Sequence, residues 1–380
     1  MRSVLLLLLS AAMLACGSAS SSTEAPVGEA SRPPRPAPEL GNGDHTARSV
    51  TFTEIASADS GLKTPRDLAF NPLRPDELWI VNNGDDSTVT VRDASTDGRT
   101  AERRRDAASE HFMPNPSSIA FGADPTTFGK PGTFATCQES RNTYRGKEPA
   151  NDFMGPALWS SDPTIFAKMN PNGLGSHLDM LHEAPNCMGI AHAADNIYWT
   201  FGGLNNDIVM HDFQKDDGIG NDDHSDGKAI HYTVDVKAVP GVPSHLFFHA
   251  SDSALYIADT GHGRVAKLDT RTGAFTRNVR AKEPMRICAQ YDGASLQDVV
   301  PAASNQLTLP SGLEIRGELV YVSDNENGRI SAFTLAGERV NYLDTGLPKG
   351  ALSGMAFGPD KKLYLVDMVG DRVLRVDVKP

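Results

Sequence analysis

Leu255-Tyr256-Ile257-Ala258-Asp259-Thr260-Gly261-His262-Gly263-Arg264-Val265-Ala266-Lys267-Leu268-Asp269 is the stretch on which the reading of this 380-residue chain turns. Four apolar residues run up to an aspartate, a glycine-bearing turn reverses the chain, and a strand of alternating character returns. Just upstream, Pro243-Ser244-His245-Leu246-Phe247-Phe248 supplies a strand for the apolar run to fold back on. The same order of events occurs in five other places. Pro65–Phe70 leads to Leu78–Asn82, Pro116–Phe121 to residues 133–137, and residues 187–191 to 197–201. Residues 310–313 lead to 320–324, and Leu352–Phe357 to Leu363–Asp367.

Units of about 40 to 70 residues, rich in β-formers and punctuated by glycine, predict a propeller, because each small sheet covers both of its faces only against neighbours in a ring. The fold class expected is all-β, with six blades. The sixth unit reaches Pro380 without a fourth strand, so the alternating residues 48–55 are expected to complete that blade and pair the two ends of the chain. The 255–265 motif resembles the NHL repeat, and the resemblance covers nearly everything after residue 47.

The first residues have another character. Arg2, an apolar run over residues 4–9 and Leu14-Ala15-Cys16 form a secretory leader that resembles a lipobox, with Cys16 as the acylated residue. The domain reading is a leader over 1–16, a Ser/Pro/Gly/Ala-rich tether over 17–47 and a propeller over 48–380. The expected location is the cell envelope, at the outer membrane or periplasmic face, or secretion where Cys16 carries no lipid. Membrane contact is expected only through that cysteine, with the propeller a monomer. A net charge of −12 argues against nucleic acid as a partner.

With strands alternating in direction, the starts of first strands and the ends of second strands share one face, at the mouth of the central channel. The connections 138–163 and 280–309 are expected to reach that face too, the former carrying Arg141, Tyr144, Arg145, Asp152 and Trp159. Ligand-binding candidates are Asp67, Asn82, Arg141, Tyr144, His245, Asp259, Asp324 and Asp367. The NHL resemblance implies a second role for Asp259, Asp324 and Asp367, as acceptors for backbone amides and for the arginine that follows. Cys137 and Cys187 occupy corresponding places in adjacent blades, which leaves a disulfide or two free thiols open.

The loop 216–227 is dense in oxygen ligands, with Asp217, Asn221, Asp223 and Asp226 as candidates for Ca²⁺ or another divalent cation. Its spacing fits neither an EF-hand nor a nonapeptide repeat, so a solvated acidic loop stays equally open. Most of the histidines follow Asp162, but His182, His192, His211, His231 and His249 sit in different strand-like stretches and are expected to act separately.

Nucleophile elbows, phosphate loops and zinc-protease motifs are missing. Amidating lyases of similar architecture place zinc-binding histidines just after the proline of certain first strands, where this chain has Arg66, Ser117, Ser244 and Ser311. Lactonases similar to gluconolactonase hold a divalent cation with channel-face carboxylates and asparagines, a set that Asn82, Asp259, Asp324 and Asp367 imitate by position. Two functions are carried forward. One is a scaffold binding a protein or small-molecule ligand through the channel face. The other is a metal-dependent hydrolase or lyase with His245 or Tyr144 as base.

Overall fold

The computed structural model describes residues 36–122 and 132–379. The leader, Cys16 and most of the expected tether lie outside them, and Pro36–Pro380 is one compact unit. Five four-stranded sheets and one six-stranded sheet form the blades, and each blade's first three strands are consecutive in the chain.

The second strands explain the ring. In blade one, Leu78 and Ile80 join a core with Tyr364 and Val366 of blade six, while Trp79 and Val81 join Phe134 and Trp159 of blade two. Period-two geometry sends successive side chains to opposite faces, so a strand walled by neighbours on both sides is apolar throughout. Each of the six seams between blades has its own buried cluster, including the one between the last blade and the first. Outer strands are wetter: Thr100–Arg104 of blade one is mostly exposed.

Val50–Ala56 pairs antiparallel with Arg372–Val378, placing Phe52 opposite Val376, and so closes blade six as its fourth strand. The ordered body begins earlier than residue 48, however. Pro38–Leu40 forms a short 3₁₀ turn, Leu40 is fully buried with Val50 and Leu343, and Asn341 Nδ2 donates to Ala37 O at 2.9 Å. Leu40, a large apolar residue in a polar stretch, docks residues 36–47 on the seam of blades five and six together with His45, which stacks on Tyr342 and whose carbonyl accepts Asp344 N at 2.9 Å.

The connection 280–309 does not reach the channel. Ala274–Asn278 and Ile287–Asp292 form a hairpin whose second strand runs parallel to Lys228–Tyr232, extending blade three to six strands. The chain then returns to blade four, where Leu296–Val300 is the outer strand.

Around the channel, bulges near the starts of several first strands turn polar groups toward the next blade. Ser117 Oγ donates to Cys187 O at 2.7 Å, Ser244 N to Met188 O at 2.8 Å, and Ser311 Oγ to Pro243 O at 2.8 Å. Ser323 Oγ donates to Ser353 O at 2.7 Å, Ser353 Oγ to Arg66 O at 2.6 Å, and Ser118 Oγ to Asp67 Oδ2 at 2.7 Å. The six seams are thus stitched in turn. Gly189 and Gly312 permit the approach: a Cβ there would lie 2.0 Å from Ser244 O and 2.1 Å from Ser353 O.

Candidate functional site: the central channel

The first strands enclose a cavity of about 290 Å³, running from Asp67, Ser118 and His245 near their starts to Phe121, His192 and Phe248 near their ends. Its walls mix Ile119, Phe247 and Leu313 with Asp67, His245 and Glu314. Asp67 is the anchor: Oδ1 accepts Leu68 N at 2.8 Å, Oδ2 accepts Ile119 N at 3.0 Å as well as the Ser118 hydroxyl, and His245 Nε2 stands 3.6 Å from Oδ2. With its lone pairs so occupied, Asp67 shapes the wall and leaves Glu314 as the carboxyl available to a guest. Burial, reinforced by the negative charge of Asp67, pushes Glu314 up to about 8.

The end at which the first strands begin is covered. Arg66 Nη1 donates to Gly241 O, Arg66 Nη2 lies 3.5 Å from Glu139 Oε2, and Gly241 N donates to Glu139 Oε1 at 2.5 Å. Burial lowers Arg66 from the usual arginine range, and Glu139 opposes that shift. Among the described residues the cavity runs from this covered end to Phe121, His192 and Phe248 at the other.

Of the expected ligand-binding residues, the structure brings Asp67 and His245 together in the channel. Asn82 Oδ1 accepts Lys63 N, and its Nδ2 donates to Gly61 O at 2.9 Å and Ser87 Oγ at 3.0 Å. Asp259 accepts Lys237 N, His262 Nδ1 and Arg264 Nε. Asp324 accepts the amides of Thr308, Leu309 and Glu326, and Asp367 accepts Gly370 N and Arg372 Nε. Asn82, Asp259 and Asp324 fasten the connections that enter their blades and Asp367 the turn after it, each at its own blade.

Arg141 pairs with Asp152 in solvent, and Tyr144 packs 4.8 Å from His111, both away from the channel residues. Trp159 is fully buried in blade two's third strand, Ala157–Ser160. Cys137 and Cys187 are joined in a disulfide between blades two and three, with Cα atoms 5.3 Å apart.

Several histidines expected to stand apart meet at the seam of blades two and three. Glu283, in the turn of the added hairpin, accepts His182 Nδ1 at 2.7 Å and His224 Nδ1 at 2.6 Å with one oxygen. The two histidines hold Glu283 down at about 2 against the opposing effect of burial. Beside it, Glu183 binds Lys282 Nζ at 2.8 Å and lies 3.6 Å from His231 Nε2, whose Nδ1 meets Asp207. Two features lie outside the sequence-based reading. Glu283 comes from a hairpin whose docking no local pattern announced. Glu314, a lone acid inside the first strand Pro310–Arg316, was overlooked although period two aims it at the channel.

No protein-family model matches the chain, and no curated protein matches it in sequence. Solved structures do resemble it. An auxiliary nutrient binding protein from Bacteroides ovatus ATCC 8483 aligns with a TM-score of 0.52 at 13% identity, over 90% of this chain and 76% of that one. Another from Bacteroides thetaiotaomicron VPI-5482 aligns with a TM-score of 0.50 at 11% identity, over 83% and 69%. The fold is a six-bladed β-propeller. A gluconolactonase-type propeller aligns as well, over 91% of this chain and 96% of that one, at 12% identity and a TM-score of 0.48. Among the described residues no helix is long and apolar enough to cross a membrane.

Proposed function

We propose that the chain is a binding propeller, exported and held at the cell envelope by acylated Cys16, that takes a small uncharged polar ligand into its central channel. The observation that carries this reading is Glu314, a carboxyl held mostly protonated at neutral pH inside a cavity of about 290 Å³. A protonated carboxyl both donates and accepts, which suits hydroxyl or amide groups, while the one carboxylate beside it, Asp67, is already engaged by Leu68 N, Ile119 N and the Ser118 hydroxyl. Phe121 and Phe247 offer the apolar wall such pockets use for the rest of a ligand. The nutrient-binding proteins that share the fold are compatible with this use.

Thermal melting of the mature chain with millimolar polyols, sugars and small amides tests the idea. Ligands that bind the channel raise the melting temperature of the wild type, and Glu314→Ala loses that response. Compounds that stabilise both proteins equally, or a panel with no stabiliser, would count against it.

A further inference from the structure

From the same seam of blades two and three, we propose that Asp179, Asp217 and His224 bind one divalent transition-metal ion, of the zinc or manganese class, as a structural clamp. Asp179 lies in blade two's outer strand, His177–Met180, and Asp217 and His224 in the loop of blade three that lies along it. The loop is held by two backbone bonds, Asp217 N to Leu178 O at 3.0 Å and Gly220 N to His177 O at 2.8 Å. One oxygen of each aspartate and one nitrogen of His224 lie within 4.8 Å of one another, with His224 Nε2 3.9 Å from Asp217 Oδ2.

The decisive feature is what these atoms lack. Asp179 is fully buried, and neither of its carboxylate oxygens meets a side-chain partner, the Met180 amide being the one donor turned toward it. Asp217 Oδ2, His224 Nε2 and Asp226 Oδ1 are also buried without partners. Burying such acceptors face to face is costly unless a proton or a cation stands among them, and a cation satisfies all of them at once. The neighbouring Glu183 group differs in this respect, since Lys282 supplies the charge there.

His224 is set for metal binding in a second way. Its Nδ1 is tied to Glu283, which fixes the tautomer and leaves the Nε2 lone pair facing the aspartates, the carboxylate–histidine–metal relay common at metal centres. An imidazole nitrogen with carboxylates selects zinc or manganese over calcium, which takes six to eight oxygens. The side chains of Asp217 and His224 are each 7% exposed, so little solvent reaches the site. Of the loop residues picked out by composition, Asp217 belongs to this group and Asp226 stands beside it. Asn221 bonds Asp217 O and Asn172, and Asp223 is exposed and caps Ser225.

The test is metal titration of the mature chain after dialysis against a chelator, read by calorimetry and by thermal melting. One equivalent of Zn²⁺ or Mn²⁺ is expected to bind and raise the melting temperature. Asp179→Asn and His224→Gln should weaken binding a hundredfold or more, Glu283→Gln about tenfold to a hundredfold, and Asp223→Asn not at all. Should the ligand variants fail to fold, visible absorption of the Co²⁺-loaded wild type provides the readout, with mixed nitrogen and oxygen ligation expected. No stoichiometric Zn²⁺ or Mn²⁺, binding of calcium alone, undiminished binding by a folded Asp179→Asn, or a cobalt spectrum of the free aqueous ion would each overturn the proposal.

Discussion

Replacing Glu314 by glutamine isolates the chemistry assigned to the channel. In the folded chain this carboxyl titrates near 8, against an ordinary value of 4.5. Below the ordinary value both folded and unfolded chains hold the proton, and the residue does not affect the balance. Between the two values the folded chain binds more protons than the unfolded one, so stability falls as pH rises, and above the upper value the whole cost is present. One unit corresponds to about 1.4 kcal/mol. Glu314 is half-buried by its surface area, so about half of the shift is counted toward stability; linkage keeps the slope at about 1.4 kcal/mol per pH unit and the discount narrows the pH window instead. Over that narrowed window, roughly 1.5 to 2 pH units upward from 4.5, wild type should lose about 2 kcal/mol relative to Glu314→Gln, whose amide keeps the shape and cannot ionise. Urea unfolding of both proteins at a series of pH values measures the difference, and titrations elsewhere cancel. Parallel stability curves would refute the reasoning, as would a glutamine variant less stable by the same amount at every pH.

Other consequences concern the ring. Removing the Cys137–Cys187 link, which closes a loop with a separation of 50 residues, should cost about 4 kcal/mol on the chain-entropy account, read as a lower urea midpoint for the double serine variant. Trp79→Ala empties the core shared by blades one and two and should cost about 3 to 5 kcal/mol in the same assay. Asp324→Ala orphans three amides and should cost about 2 to 3 kcal/mol while leaving ligand selectivity unchanged; an unaltered melting temperature would contradict its fastening role. Deleting residues 36–56 bares the edge of Arg372–Val378 and should raise the apparent mass by light scattering above that of the full chain, whereas an unchanged mass would deny the closure.

The blades were legible because the second strands have no choice. A strand covered on both sides must be apolar at every position, and Leu78–Asn82 or Leu363–Asp367 cannot be read otherwise. The closing strand followed from counting what the last unit lacked. Outer strands such as Thr100–Arg104 and Ala274–Asn278 carry little burial and hence little pattern, which is why the hairpin added to blade three went unseen. Strand direction located Asp67 and His245 correctly at the channel but gave no hint of the Arg66–Glu139–Gly241 cover, since that cover is built from residues far apart in the chain. Asp259, Asp324 and Asp367 read as ligand groups by position and as amide acceptors by resemblance to the NHL repeat, and they accept amides: Asp259 and Asp324 from the connections that enter their blades, Asp367 from the turn that follows it. The histidine seam joins His182, His224 and Glu283 across a hundred positions of sequence, beyond the reach of any spacing rule.

A crystal structure of the mature chain purified from its own cells, without refolding, examines the channel most directly. The account expects ordered non-protein density against Glu314 and Phe248. A channel holding only water, with a guest bound instead in the surface depression beside Asn151 and Arg280, would contradict it.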